Sequence, residues 1–240
     1  MNKTIPESEL IINPDGTVFH LHLRPDQLTD RVILVGDPGR VDMVAGFFDT
    51  TTFEVSSREF HTIGGTYNGK PIMCLSHGIG PDNIDIVINE LDALANIDFS
   101  TREIRDEKRV LTLVRIGTSG ALQPELSLGT PVIAEKSIGF DGVLNYYAGR
   151  NDVADLDFEH ALCHHTGWNP LWAKPYVVDA DPELVERIGR DDMVRGNTIS
   201  AVGFYGPQGR ELRLPLANPD LNRRIEEFEH KGRKITNYEM

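Results

Sequence analysis

The sequence predicts an α/β protein whose mixed, partly parallel central sheet is flanked by helices, and three observations carry that prediction. Short aliphatic runs end in glycine-containing loops. Helical periodicity follows those loops, so strands and helices alternate along the chain. No Pro/Gly/Ser-rich linker, internal repeat or low-complexity tract interrupts the 240 residues, so a single domain over 1–240 is expected.

The elements follow in order. The aliphatic run 31–35 is ended by Gly36-Asp37-Pro38-Gly39, after which Val41, Val44, Ala45 and Phe48 recur at helical spacing: strand, tight loop, helix. The runs 60–67 and 71–76 flank Asn68-Gly69, whose tolerance of positive φ suits a two-residue hairpin turn. After His77-Gly78-Ile79-Gly80, the residues Ile84, Ile88, Leu91 and Ala95 keep a helical period. The charge-dense stretch 98–109 reads as a solvated excursion, and 110–116 as an apolar strand ended by Gly117. A further strand is expected over 130–137, and helices over 182–188 and 219–230. The last of these turns Leu221, Ile225 and Phe228 inward, with Gly232 placed to stop it.

Composition excludes several classes of function. With 40% hydrophobic and 25% charged residues the chain is neither disordered nor collagen-like. Its 24 Lys and Arg against 37 Asp and Glu leave a formal charge of −13, which gives no electrostatic reason to coat a phosphate backbone, so no nucleic-acid partner is expected. No apolar run approaches the roughly 18 residues that span a bilayer, so no membrane partner is expected either. The first twenty residues hold Glu7, Glu9 and Asp15 and do not read as a secretory signal, and Cys74 and Cys163 cannot build a disulfide framework. A cytoplasmic location is the expectation.

In open α/β sheets ligands bind beyond the carboxyl ends of strands, which directs attention to 36–40 and 117–120. Gly36-Asp37-Pro38-Gly39-Arg40 lets the backbone approach an anion and puts a guanidinium at a helix start, although a plain strand-helix turn reads the same way. It is neither a P-loop nor a dinucleotide fingerprint. Arg115-Ile116-Gly117-Thr118-Ser119-Gly120 repeats the arrangement, an arginine ending an aliphatic strand before two hydroxyl donors. Phosphate recognition explains it better than pairing with a nearby carboxylate. In Phe204-Tyr205-Gly206-Pro207-Gln208-Gly209-Arg210 an aromatic ring, an amide and a guanidinium share one loop. That set suits a planar heterocycle, though by itself it is also an ordinary turn.

Together and in this order these segments resemble the nucleoside phosphorylase superfamily, specifically its uridine phosphorylases. The resemblance takes in Val18-Phe19-His20-Leu21, Ser57-Arg58-Glu59-Phe60, Gly78-Ile79-Gly80 and Asn237-Tyr238-Glu239-Met240, and so runs from about residue 18 to the last. It implies a nucleoside phosphorylase-like fold and reversible phosphorolysis of uridine and related pyrimidine nucleosides, giving uracil and ribose 1-phosphate. Inorganic phosphate is then a co-substrate, with no cofactor and no metal.

By the same resemblance Gly36, Arg40, Arg115 and Thr118 hold phosphate, joined by Arg58 from a neighbouring subunit. Ser119, Glu239 and Met240 hold ribose, with His20 of the adjacent subunit reaching the 5′-hydroxyl, and Phe204, Gln208 and Arg210 hold the base. Catalysis would rest on Arg40, Arg115 and Arg210, through positioning and electrostatics rather than a protein nucleophile. Shared sites imply a homo-oligomer, a dimer or a hexamer of dimers. The Gln208 and Arg210 pair argues against a purine-preferring phosphorylase, and Arg40 and Arg115 against a nucleosidase that uses water.

The chain departs from the family in several places. It stops at Met240, where the family continues through Glu-Met-Glu into a helix, a last core strand and a C-terminal helix. A clipped chain is the expectation, and a non-catalytic nucleoside-binding homologue is the rival. The excursion 98–109 is longer than the family's link. Some relatives hold a monovalent cation at positions matching Glu59, Ile79 and Asn83, where asparagine argues against one here. His160, His164 and His165 beside Cys163 lack an acidic partner for zinc and read as incidental to a partly exposed helix, while Trp168 and Trp172 read as packing.

Overall fold

The aliphatic run forms strand β1 (Arg31–Val35), and Pro38, whose fixed φ suits a first helical position, starts α1 (Pro38–Ala45) directly after it. The structure is a computed structural model, and it describes residues 4–239. They fall into two compact units, Met1–Gly117 and Thr118–Met240, with one five-stranded mixed sheet in each. The expected mixed α/β class is what the chain adopts.

In the first unit β2 (Thr50–Ser57), β3 (Phe60–Tyr67) and β4 (Lys70–Ser76) form an antiparallel meander. The turn between β3 and β4 is Asn68-Gly69, at φ 48° and 69°, the double positive φ that this dipeptide tolerates. Helix α2 (Pro81–Asn96) follows, then a short hairpin of β5 (Ile97–Asp98) and β6 (Glu103–Ile104) inside the charged excursion, then β7 (Thr112–Ile116). The sheet order is β2-β3-β4-β1-β7, with β1 parallel to both β4 and β7.

Strand alternation divides the core. Val32, Leu34, Met73 and Leu75 face α2 and pack with Val87, Leu91 and Leu94, while Val35 and Cys74 face the other way toward Val41. Each such buried side chain contributes roughly 1.5–3 kcal/mol. Leu91 and Ala95 of the expected stripe are buried in this core, whereas Ile88 is 38% exposed and Val87 and Leu94 complete the inward face.

The second unit opens with β8 (Gly120–Ala121) and β9 (Val132–Gly139), then α3 (Arg150–Val153), α4 (Leu156–Thr166), β10 (Tyr176–Asp179), α5 (Pro182–Ile188) and β11 (Val194–Ser200). Helix α6 (Leu221–Glu227), a hairpin of β12 (Glu229–His230) and β13 (Arg233–Lys234), and β14 (Asn237–Glu239) complete it. The order is β10-β9-β11-β14-β8. Strands β9, β11 and β14 run parallel, and the antiparallel β10 and β8 form the edges.

Leu221, Ile225 and Phe228 point inward as expected, packing on Phe158 and Leu162 of α4 and on Ile199 of β11. The helix expected over 219–230 is shorter, however. Phe228 turns extended at ψ 130°, its ring 5.3 Å from that of Phe158, and the chain then reverses through Lys231 and Gly232 at φ 50° and 76°. Gly232 therefore serves a hairpin turn rather than a helix stop.

Candidate functional site

In the first unit three strand ends lie side by side. Parallel register sets Val35 beside Ser76 of β4 and beside Ile116 of β7, so Gly36, His77 and Gly117 follow at one edge of the sheet. Asp37 caps α1 by accepting from the Gly39 N–H at 2.8 Å, which places a carboxylate at the helix start, and Arg40 is half-buried one turn on. Gly36 itself is not sterically demanded: an added Cβ would meet only ordinary contacts at 3.8 Å. The crowded position is Gly117, where a Cβ would lie 2.6 Å from Nη1 of Arg115.

Arg115 is solvent-exposed at the end of β7, and its Nε donates to Nε2 of His77 at 3.0 Å. That imidazole is 2% exposed. Burial foremost, then the Arg115 charge, push the His77 pKa down to about 4 against a smaller opposing effect of the Gly78 backbone. The ring is neutral near pH 7, and with Nε2 accepting, the proton sits on Nδ1.

His20 and Arg58, which the resemblance assigns together to a neighbour's site, also come together here. Arg58 sits at φ 55° in the two-residue turn between β2 and β3, with its Cζ 5.8 Å from the centroid of Phe19. The Phe19 ring meets that of His20 edge-on at 4.8 Å. Nδ1 of His20 lies 2.5 Å from Oε1 of Glu90, and the same buried carboxylate accepts the backbone N–H of His20 and, at 2.9 Å, of Leu21. A carboxylate only accepts, so Nδ1 is the donor of this contact.

The second unit gathers the base-type residues. Gly206–Gln208 is a short 3-10 turn closed by Gly209 at φ 69°, which folds Arg210 back over the loop. The Arg210 guanidinium lies 4.0 Å from the Phe204 ring centroid and donates both to the Phe204 carbonyl, at 2.7 Å, and to Oε1 of Gln208. Gln208 is buried, and its amide nitrogen points at the Glu239 carbonyl at 3.5 Å. Strand β14 brings Tyr238 into register with Gly120, and a Cβ on Gly120 would stand 3.8 Å from Arg210. Phe204, Gln208, Arg210 and Glu239 thus converge beside the exposed segment Thr118-Ser119-Gly120. Met240 lies outside the described residues.

Other candidates resolve into packing and ordinary pairing. His160 and His164 stack at 6.5 Å on α4, while Nε2 of His165 bonds the Arg224 carbonyl at 2.8 Å. Trp168 and Trp172 meet edge-on at 5.1 Å and line, with Phe140, Val202 and Pro207, a cavity of about 470 Å³. Around Gly78, Nδ2 of Asn83 donates to the Ile79 carbonyl at 3.1 Å, so that oxygen already has a donor. Asp42, Glu54 and His61 bring one ligand atom each within 4.8 Å of one another, in an exposed pairing where His61 bonds Glu54 at 3.1 Å. Burial pushes the Cys74 thiol up to about 12, which leaves it a buried apolar group rather than a nucleophile.

His77 and Glu90, the hydrogen-bond partners of Arg115 and His20, are not among the residues that the sequence singles out. The sequence signal for His77 is its place before Gly78-Ile79-Gly80 at a strand end, and Glu90 carries none beyond its position on a helix.

The comparisons with known proteins bear on the family. The model of the phosphorylase superfamily matches residues 30–232. The chain is 33% identical over 226 residues to the uridine phosphorylase of Escherichia coli, covering 93% of this chain and 76% of that enzyme. It is 32% identical over 195 residues to the uridine phosphorylase of Haemophilus influenzae, of whose length it spans 65%. Among solved structures, a Trypanosoma brucei nucleoside phosphorylase described as showing uridine phosphorylase activity superposes with a TM-score of 0.86 at 29% identity, over 97% of this chain and 83% of that one.

Proposed function

The chain belongs to the phosphorylase superfamily, alongside the uridine phosphorylases, and on that premise we propose that it catalyses phosphorolysis of uridine and related pyrimidine nucleosides. Phosphate attacks C1′ of the ribose, the C1′–N1 bond breaks, and its electron pair leaves with uracil. The products are ribose 1-phosphate and, after N1 takes up a proton, neutral uracil. The observation that carries the reading is the convergence of Phe204, Gln208, Arg210 and Glu239 in one loop-and-strand cluster.

That cluster suits a pyrimidine that leaves as an anion. Oε1 of Gln208 spends one lone pair on Arg210 and keeps a second for the N3–H of uracil, while Nε2 and the guanidinium are donors for its two carbonyls. Donors fixed in advance where charge develops favour the transition state over the bound nucleoside. Arg40, Arg115 and Thr118, with Gly36, are assigned to phosphate, and Ser119, Glu239 and Met240 to ribose. Phosphate serves as co-substrate, and no metal or organic cofactor enters the chemistry.

His20 and Arg58, held around Phe19, are assigned to the site of a neighbouring copy, so the working assembly is a homo-oligomer of at least two chains. With Nδ1 of His20 held by Glu90, Nε2 is the ring nitrogen left to meet a sugar hydroxyl. Cys74 and Cys163 are unbridged, which fits a reducing cytoplasm, and among the described residues no helix is long and apolar enough to cross a membrane.

The test is uracil release from uridine by the purified protein with and without inorganic phosphate. Release only with phosphate is expected. Equal release in water would make it a nucleosidase, faster release of hypoxanthine from inosine a purine enzyme, and no release a binding protein.

A further inference from the structure

We propose that Asn222 is a positioning residue for the nucleobase: its side-chain amide, carried on α6, fixes the peptide of Gln208 and so aims that residue's own amide at the base. The inference rests on the reading of Gln208 as a base ligand. Three observations carry it. Nδ2 of Asn222 donates to the Gln208 carbonyl at 2.8 Å, across 14 residues of chain. Gly209 packs against the same amide, since a Cβ there would stand 2.3 Å from Nδ2 and 2.8 Å from Oδ1. Oδ1 of Asn222 is buried with no hydrogen-bond partner among the described residues.

The loop's own backbone bonds are local. The N–H groups of Gln208 and Arg210 donate to the Tyr205 carbonyl and that of Gly209 to the Gly206 carbonyl, which sets the shape of the turn but not its place on the unit. The Arg210 guanidinium is likewise tied to Phe204 and Gln208 inside the loop, and the Gln208 side chain meets the Glu239 carbonyl only at 3.5 Å. Helix α6 supplies a fixed point, because Leu221 and Ile225, on either side of Asn222, are buried in the core with Phe158. A carbonyl only accepts, so the group that meets it has to be a donor, and an amide that donates there turns its oxygen into a place where nothing donates back. Leucine would avoid that orphaned acceptor but would leave the Gln208 carbonyl without its bond. Asparagine keeps the bond at the cost of one unpaired buried oxygen, a penalty that a positioning role accounts for.

The experiment varies uridine at saturating phosphate, and phosphate at saturating uridine, for wild type, Asn222→Ala and Asn222→Asp, and repeats the uridine series for Gln208→Ala with and without Asn222→Ala. Alanine removes the donor, whereas aspartate keeps the shape and turns an acceptor toward the carbonyl. Asn222→Ala is expected to raise KM for uridine about fivefold, the usual worth of one hydrogen bond, and Asn222→Asp to raise it further, with KM for phosphate unchanged in both. In the Gln208→Ala background Asn222→Ala is expected to add nothing, because it acts through the side chain already removed. Should one variant fail to fold, the other carries the comparison. An unchanged uridine KM in the folded variants, equal rises for both substrates, or the same fivefold rise on top of Gln208→Ala overturns the role of Asn222. A wild-type protein that releases no uracil from uridine and phosphate overturns the underlying reading instead, and does so before any variant is made.

Discussion

The guanidinium of Arg210 lies over the ring of Phe204, 4.0 Å from Cζ to centroid, and donates to that residue's own carbonyl at 2.7 Å. A cation over an aromatic face gains about 0.5–1 kcal/mol at an exposed site. The two residues brace each other across the five residues between them, so the loop holds Phe204 and Arg210 in place before any ligand arrives. Preorganisation of this kind lowers the reorganisation a reaction must undergo.

Arg210→Ala is therefore expected to lower kcat on uridine on the order of a hundredfold, the usual effect of removing one preorganised donor to a developing anion. The fold should survive, since the side chain is only half-buried and packs on an exposed ring. Steady-state kinetics beside a thermal melt check both statements, and unchanged kinetics would remove Arg210 from the mechanism.

Gly209 stands at φ 69°, and a Cβ on it would lie 2.3 Å from Nδ2 of Asn222. That amide donates to the Gln208 carbonyl at 2.8 Å, so Gly209→Ala strains the turn and displaces a brace of the same loop. We expect a loss of about 1–3 kcal/mol of stability together with a raised KM for uridine. A variant with the wild-type KM would show that the loop tolerates the strain without moving its ligating groups.

Glu90 is 8% exposed and accepts the backbone N–H groups of His20 and Leu21 as well as Nδ1–H of His20. Glu90→Ala orphans two buried backbone donors and should cost about 3 kcal/mol, whereas His20→Ala removes a half-exposed ring and should cost less than half of that. Urea denaturation of the pair ranks them, and the reverse order would contradict the anchoring role.

His77 links stability to pH. Its pKa falls from 6.5 unfolded to about 4 folded, so the unfolded chain binds the extra proton first as pH drops. The contribution is fully present above about pH 6.5 and is lost as pH falls toward 4, amounting to about 3 kcal/mol. His77→Gln does not titrate, so its urea midpoint should decline less between pH 7 and pH 4.5 than that of wild type; parallel declines would refute the assignment.

Gly65 in β3 faces the backbone of β2: a Cβ there would stand 2.0 Å from the Thr50 carbonyl oxygen, an atom that no side-chain rotation moves. Gly65→Ala should destabilise the first unit by about 3 kcal/mol. Gly16→Ala, at φ 82° but with nothing within 4 Å, should cost only about 1 kcal/mol, a difference readable in melting temperatures.

What the sequence determined by itself was local. An aliphatic run closed by Gly36, the Asn68-Gly69 turn, proline at the start of α1 and α5, and the segments carrying Arg115 and Arg210 all depend on neighbours within a few residues. Periodicity and turn chemistry report such short-range preferences directly. The tertiary structure alone decided three further things. It added Val87 and Leu94 to the inward face of α2 and left Ile88 part-exposed, because which stripe of an apolar helix is buried depends on the strands it meets. It ended α6 at Glu227, because the packing of Phe228 on Phe158 outweighed a helical pattern. It also joined His77 to Arg115 across 38 residues and Glu90 to His20 across 70, pairings that arise only when strand ends and a helix face are brought into register. Contacts so far apart in the chain leave no period in the sequence, since their geometry is created by the sheet and not by the segment.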